Sequence, residues 1–177
     1  QQIRSLLPHP MLRDREALYR RFSRIKRLEE QKADPGKLSG LLDEAERQAR
    51  ASVEERRYRR DHRPQVTFPE TLTITSKREQ IVRLIRENPV VIVSGETGCG
   101  KSTQIPKMCL RAGRGLEGRI GCTQPRRIAA ITIAHRIAEE LGEEIGRSVG
   151  YKIRFREKAS KESFIKIMTD GMLLAET

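Results

Sequence analysis

The sequence predicts an α/β fold: a parallel sheet with crossover helices, preceded by a basic helical arm. Three observations carry this. A G-x-x-x-x-G-K-S run sits between a β-branched segment and a helical one. Short apolar segments alternate with amphipathic helical ones over residues 75–177, the pattern of strand–helix–strand units. Residues 1–63 have a different grammar, with apolar residues at helical spacing in an arginine-rich background.

Taken in order, the arm comes first. From Met11 to Leu28 the apolar residues Leu12, Ala17, Leu18, Phe22, Ile25 and Leu28 mark one predicted helix. Asp34-Pro35-Gly36 breaks it. A second helix is expected from Lys37 to about Tyr58, ending in Arg56-Arg57-Tyr58-Arg59-Arg60. This arm reads equally as an RNA-gripping or partner-docking element and as a solvated hairpin whose charges serve solubility. Residues 64–74, with Pro64 and Pro69, read as a linker, and residues 75–177 as the α/β domain.

Within that domain, Lys77–Glu87 presents Ile81, Leu84 and Ile85 on one helical face. Val90-Val91-Ile92-Val93 reads as a buried parallel strand. Lys101 to about Arg111 is a helix, with Pro106 inside it as the awkward residue. Arg119–Thr123 is a second strand, and Ile128–Leu141 a helix with Ile131, Ala134, Ile137, Ala138 and Leu141 inward. Tyr151–Phe155 and Phe164–Met168 are further strands. The chain shows neither an internal repeat nor a low-complexity tract.

Bulk properties bound the function. The 177 residues suffice for one core domain and an appendage. Net charge is +12, with a pI near 10.2 and a mean hydropathy of −0.63. Residues 1–63 hold 17 Lys and Arg against 11 Asp and Glu, which leaves 19 against 13 of the chain's 36 and 24 for the remainder. The basic excess is therefore +6 in each half, and it suits a polyanionic partner, either nucleic acid or an anionic membrane surface. No apolar run approaches the roughly 20 residues of a membrane helix, and no signal sequence opens the chain. A soluble cytoplasmic protein without a membrane partner is expected. Because the chain begins at Gln1, a leader, a tag or a processed end is expected to be missing. Cys99, Cys109 and Cys122 form no CxxC pair and read as reduced thiols.

The chemistry centres on Gly95-Glu96-Thr97-Gly98-Cys99-Gly100-Lys101-Ser102, a complete phosphate-binding loop. Gly95 and Gly100 are expected to let the backbone turn and approach phosphates, while loop N–H groups and the following helix N-terminus cradle the anion. Lys101 reaches the β- and γ-phosphates, and the Ser102 hydroxyl holds Mg²⁺. Cys99 is open to two readings: a thiol activated by the helix N-terminus, or a small residue that fits, the latter favoured. Downstream, Thr123-Gln124-Pro125-Arg126-Arg127 ends a strand and opens a helix, so both arginines can fork onto phosphates or form a plain surface pair. Gly150-Tyr151-Lys152-Ile153-Arg154-Phe155 and Met168-Thr169-Asp170-Gly171 follow, with Thr169 or Asp170 available as an ordinary helix cap.

Together these segments resemble the DEAH/RHA group of superfamily 2 RNA helicases, and within it the bacterial HrpA-type branch. Gly95–Gln104 resembles motif I, Thr123–Arg127 motif Ia and Thr169–Gly171 motif Ib. The likeness is specific over about residues 75–177 and weaker over 1–63, where His9-Pro10-Met11-Leu12-Arg13-Asp14-Arg15 carries it. It implies that the α/β domain is the first RecA-like domain, incomplete here. Gly95, Glu96, Thr97, Gly98, Cys99, Gly100, Lys101, Ser102 and Thr103 would bind ATP or another NTP with Mg²⁺. Arg126, Arg127, Arg154 and Thr169 would contact single-stranded RNA. Arg136 resembles the family arginine that stacks on the nucleobase; its plain alternative is an exposed helix arginine. The chain ends at Thr177 with neither the DEAH motif nor a second RecA-like domain. The resemblance implies an RNA-translocating helicase as the parent. This stretch is expected to bind nucleotide and RNA without hydrolysis or unwinding. Messenger RNA or the ribosome is a fitting setting, and a monomer is expected. A non-catalytic basic RNA-binding module and another P-loop NTPase, such as a DNA helicase, are the alternatives.

Overall fold

A computed structural model describes residues 9–176, which separate into two compact units. The first comprises the chain up to His62 together with Leu116–Gly118; the second comprises Arg63–Gly115 and Arg119 onward.

The first unit is a helical hairpin of α1 (Leu12–Glu30) and α2 (Pro35–Asp61). Leu, Glu and Arg dominate both, all strong helix formers. Between them Asp34 caps α2: its carboxylate accepts from the Lys37 amide at 2.9 Å, and Pro35 occupies the first turn where no donor is needed. Pairing of Arg13 with Glu55 and of Arg21 with Glu44 sets the helices antiparallel. Buried Ala45 and Ala49 on α2 permit close approach, and Leu18 and Ile25 of α1 are buried with them. Leu12 and Ala17, expected on that face, are exposed. Met11 cannot cap α1 with its own side chain. Ser52 of α2 ties down this end of the helix instead, accepting from the Met11 amide at 2.9 Å and donating to the Asp14 carboxylate of the first turn at 2.7 Å. Glu117 joins the same unit: its carbonyl accepts from the Leu12 amide at 2.7 Å, and its carboxylate from Arg15 and Arg56.

The second unit opens with a 3-10 turn (Thr73–Lys77) leading into α3 (Arg78–Glu87). Then come α4 (Lys101–Arg111), β1 (Ile120–Gln124), α5 (Arg127–Glu140), β2 (Val149–Ile153), β3 (Arg156–Lys158), β4 (Ile165–Thr169) and α6 (Asp170–Glu176). The sheet order is β1-β4-β2-β3. Pairs β1–β4 and β4–β2 are parallel, as expected, and β2–β3 is an antiparallel hairpin that the expected parallel sheet did not include. Ala130, Ala134, Ile137 and Ala138 of α5 are buried, as are Val149, Tyr151, Ile165 and Ile167 of the strands. A second cluster joins Ile74, Ile81, Val82 and Met108, flanked by Phe68, Leu72, Val93 and Cys99. Phe68 and Leu72, from the segment that reads as a linker, thus belong to a core. Pro106 is buried within α4 and does not end it.

Two expected strands differ: the one over Tyr151–Phe155 ends at Ile153, where Arg154 and Phe155 turn the chain into β3, and the other is the valine–isoleucine run. Val90–Val93 forms no strand among the described residues. Val93 packs on the second cluster, but Val90 is 76% and Ile92 92% exposed. A buried parallel strand needs a ladder on its backbone and a layer on each face. The described residues supply one apolar contact face and no ladder.

Gly150 shows where the hairpin is tightest. A Cβ there would lie 2.5 Å from the Lys158 carbonyl oxygen and 2.6 Å from the Ala159 Cα. Neither is a flexible side-chain end, so the backbone must shift. Gly150→Ala is therefore expected to destabilise the chain by about 1–3 kcal/mol, an overpacking cost. Urea unfolding checks it, by a lower midpoint at unchanged slope.

Candidate nucleotide and nucleic-acid site

The phosphate-binding loop is built on two left-handed glycines, Gly98 (φ 87°) and Gly100 (φ 98°). A side chain at Gly100 would also meet Leu72 at 2.9 Å. The expected turning role of Gly95 is corrected: its φ is not positive, and a Cβ there would be in ordinary contact with Cys99 at 3.4 Å. The freedom lies at Gly98 and Gly100, where the chain reverses into α4. Lys101 folds over the loop, its ammonium donating to the Gly95 and Glu96 carbonyls, both at 2.7 Å. Those carbonyls point inward, and the exposed Ser102 faces an open cavity of about 410 Å³.

Leu72, Thr97, Gly98, Gly100, Lys101, Ser102 and Thr103 line this cavity from the loop side, and Arg136 and Glu140 close it from α5. The structure thus brings Arg136 to the loop, across more than thirty intervening positions of sequence. Gly95, Glu96 and Cys99 are not among the lining residues; Gly95 and Glu96 are exposed, and Cys99 packs against the Ile74 cluster. Of the other thiols, Cys109 is raised by burial, and burial, with Cys109 beside it, pushes Cys122 up to about 12. Both are neutral at physiological pH.

Glu140 is the residue that sequence reading passed over. It receives Gln104 Nε2 at 2.9 Å, Arg136 Nε at 3.0 Å and the Lys107 ammonium. Lys107 is fully buried and also donates to the Thr67 carbonyl at 2.7 Å, while the Thr67 hydroxyl donates to the Glu140 carbonyl at 3.0 Å. One carboxylate therefore joins α4, α5 and residue 67, and orients the arginine on the cavity wall. Burial by itself raises the Glu140 carboxyl; hydrogen bonds from Lys107 and Gln104, with the charges of Lys107 and Arg136, outweigh it and hold the group below the usual range. Burial pushes Lys107 down, and Glu140 offsets only part of that.

At the carboxyl end of the sheet, register aligns Gln124 with Thr169 and Lys152 with Met168. This places Pro125–Arg127, Thr169 and the Arg154 turn at one end, where ligands of open α/β sheets gather. Arg126 is extended and caps α5, and Arg127 begins that helix. The Arg127 and Arg154 guanidiniums lie 5.9 and 5.1 Å from the centroid of Phe155, which is 81% exposed. Arg126, Arg127 and Arg154 form no ion pair among the described residues. In the hairpin, by contrast, Arg13, Arg15, Arg20, Arg21, Arg47, Arg50 and Arg56 each face a carboxylate. Among the described residues no group of three or more His, Cys, Asp or Glu is placed to hold a metal, and no helix is long and apolar enough to cross a membrane.

No family model matches the chain. It is 44% identical to the ATP-dependent RNA helicase HrpA of Escherichia coli (strain K12), over 94% of this chain and 12% of that protein. It is 46% identical to the ATP-dependent RNA helicase HrpA homolog of Haemophilus influenzae, over 99% of this chain and 13% of the other. The human probable ATP-dependent RNA helicase DHX40 is 43% identical over 61% of this chain and 13% of its own length. The chain therefore spans about an eighth of the relatives it matches.

Glu140 gives a pH signature. Its depressed folded pKa contributes stability that is present above the unfolded carboxyl value of about 4.5 and is lost as pH falls through the folded value. Lys107 stays protonated in both states over that acid range and adds no slope there. Glu140→Gln is expected to flatten this part of the stability–pH curve in chemical denaturation. Glu140→Ala, which strands the buried ammonium, is expected to cost about 3–5 kcal/mol at pH 7.

Proposed function

We propose that this chain, related along nearly its whole length to the HrpA-type helicases, is the nucleotide-cradling stretch of an ATP-driven RNA helicase of the DEAH/RHA group. The observation that carries the reading is the convergence, in one unit, of the Lys101–Ser102 loop and Arg136 on a single cavity. The basic strand ends supply the second half of it.

In this reading residues 75–177 make up most of an incomplete first RecA-like domain, Phe68 and Leu72 of the preceding segment pack into its core, and a helical extension precedes both. Lys101 exchanges its loop carbonyls for the β- and γ-phosphates as a point charge. The loop amides and the α4 N-terminus hold the triphosphate. Ser102 offers one exposed hydroxyl to Mg²⁺, a fit for an ion that takes few protein ligands and completes its shell with phosphate and water oxygens. When bound, Mg²⁺ neutralises charge on the β,γ oxygens. Arg136, held by Glu140, lies across the cavity from the loop and stacks on the base, which is chemistry tolerant of base identity. Arg126, Arg127, Arg154 and Thr169 form a phosphate-facing track for single-stranded RNA at the sheet end. The protein is soluble, cytoplasmic and monomeric in this reading, and messenger RNA or the ribosome is its setting. Hydrolysis and strand separation belong to the longer protein; this stretch binds.

The longer protein tests the motor. Lys101→Ala should lower RNA-stimulated phosphate release by roughly two to three orders of magnitude, as loss of a charge clamp does. Undiminished RNA-stimulated release in that variant would sink the reading. For the track, Arg126→Ala and Arg127→Ala should each weaken binding of single-stranded RNA whatever its sequence. Each should also shallow the slope of log affinity against log salt by about 0.7. Titrations at several salt concentrations, with DNA of the same sequence alongside, check this; equal binding and equal ATPase stimulation by DNA would defeat the RNA assignment.

A further inference from the structure

The turn between β2 and β3 breaks the usual rule for its length. Ile153 pairs with Arg156, so only Arg154 and Phe155 connect the strands. Two-residue hairpin turns favour Asn, Asp or Gly, because their central residues take positive φ. Here neither residue does: Lys32 is the one described non-glycine with positive φ. The second of the two carries a phenylalanine that is 81% exposed. This choice serves neither the turn nor a core within this unit. Local rules broken without structural gain mark sites kept for another purpose.

The surroundings say which purpose. The ring stands between two guanidiniums, Arg154 at 5.1 Å and Arg127 at 5.9 Å, neither ion-paired among the described residues. Arg156 follows it directly in the chain and is exposed. An aromatic face flanked by free cations fits a ligand that offers a flat π surface and a negative charge one bond-chain away, which is a nucleotide unit of a single strand. A protein partner matched to this patch needs an apolar pocket and several carboxylates brought together, whereas each unit of a single strand carries a flat ring and a negative charge of its own.

We propose that Phe155 is a base-stacking residue: an unpaired nucleobase lies on its ring while Arg127 and Arg154 hold the adjoining phosphates. This rests on the RNA-track reading above and adds to it a contact that no phosphate-binding arginine supplies. A base arriving on one face moves a guanidinium off the ring toward its own phosphate, so the stacked arginines keep the ring uncovered by other groups until RNA binds.

The chain contains no Trp, which makes the test direct. Phe155→Trp, excited at a wavelength that spares tyrosine, reports on this one position in the whole 177-residue chain. The expected result with oligouridylate is quenching of that fluorescence at near wild-type affinity. Phe155→Ala and Phe155→Leu should both weaken binding roughly five- to a hundred-fold with an unchanged salt slope, because stacking is lost and no phosphate contact is. Arg127→Ala should weaken binding and shallow the slope. If RNA binds with Arg127 dependence, yet the Phe155→Trp fluorescence stays unquenched and Phe155→Ala binds normally, the ring serves another surface and this inference falls while the RNA track stands. If oligouridylate does not bind at all, the track reading falls and takes this one with it. Weak binding by Phe155→Ala with full retention by Phe155→Leu would assign the ring to apolar burial and also overturn stacking.

Discussion

The Glu140 carboxylate holds together most of what makes the nucleotide cavity a cavity. It lies where α4 and α5 meet, and it is the counter-charge to a lysine with no access to water. Without it Lys107 would be a buried cation with no counter-charge, Gln104 would lose one of the two partners of its amide, and Arg136 would be held by Glu139 alone. Burying an ion pair is an expensive way to join two helices, and apolar side chains would do it more cheaply. What a charged joint adds is direction: a carboxylate with two oxygens fixes the orientation of each donor around it, where a methyl group would fix only distance. For Arg136 this matters, because its guanidinium is planar and the face it turns to the cavity is set by the plane in which it is held.

The two halves of the site differ in how their charge is held. Around the phosphate-binding loop the cations are engaged, Lys101 by loop carbonyls and Arg136 by Glu139 and Glu140. At the sheet end they stand open over an aromatic ring. Engaged cations are placed accurately before the ligand arrives, which suits a triphosphate of fixed shape. Open cations adapt, which suits a polymer whose successive units differ. The hairpin arginines form a third class, mostly matched to carboxylates, so a large share of that unit's charge is spent within it.

Much of this was legible in the chain. The loop announces itself in eight consecutive residues, and its glycines, lysine and serine act locally. The inward residues Ala134, Ile137 and Ala138 followed from helical spacing alone. What could not be read is what depends on distant neighbours. Glu139 and Glu140 are adjacent and chemically identical, yet the side chain of one is 73% exposed and that of the other 8%. Only the meeting with Lys107 and Thr67 distinguishes them. Val90–Val93 has the composition of a buried strand, but burial of a strand is a property of its neighbours. Phe155 follows Ile153 in an alternating apolar pattern and so reads as strand; the reversal of direction at Arg154 is set by pairing across the hairpin.

The bare valine–isoleucine segment has a consequence for how the molecule behaves in solution. Val90 and Ile92 present β-branched side chains to water on a backbone without a ladder, which is a template for a second copy to pair with. The opposing force is the net charge of +12, which keeps copies apart at low ionic strength. Salt weakens that repulsion by screening the exposed charges. Raising ionic strength thus removes what holds copies apart and leaves the apolar segment as open as before, so self-association along Val90–Val93 is governed by salt.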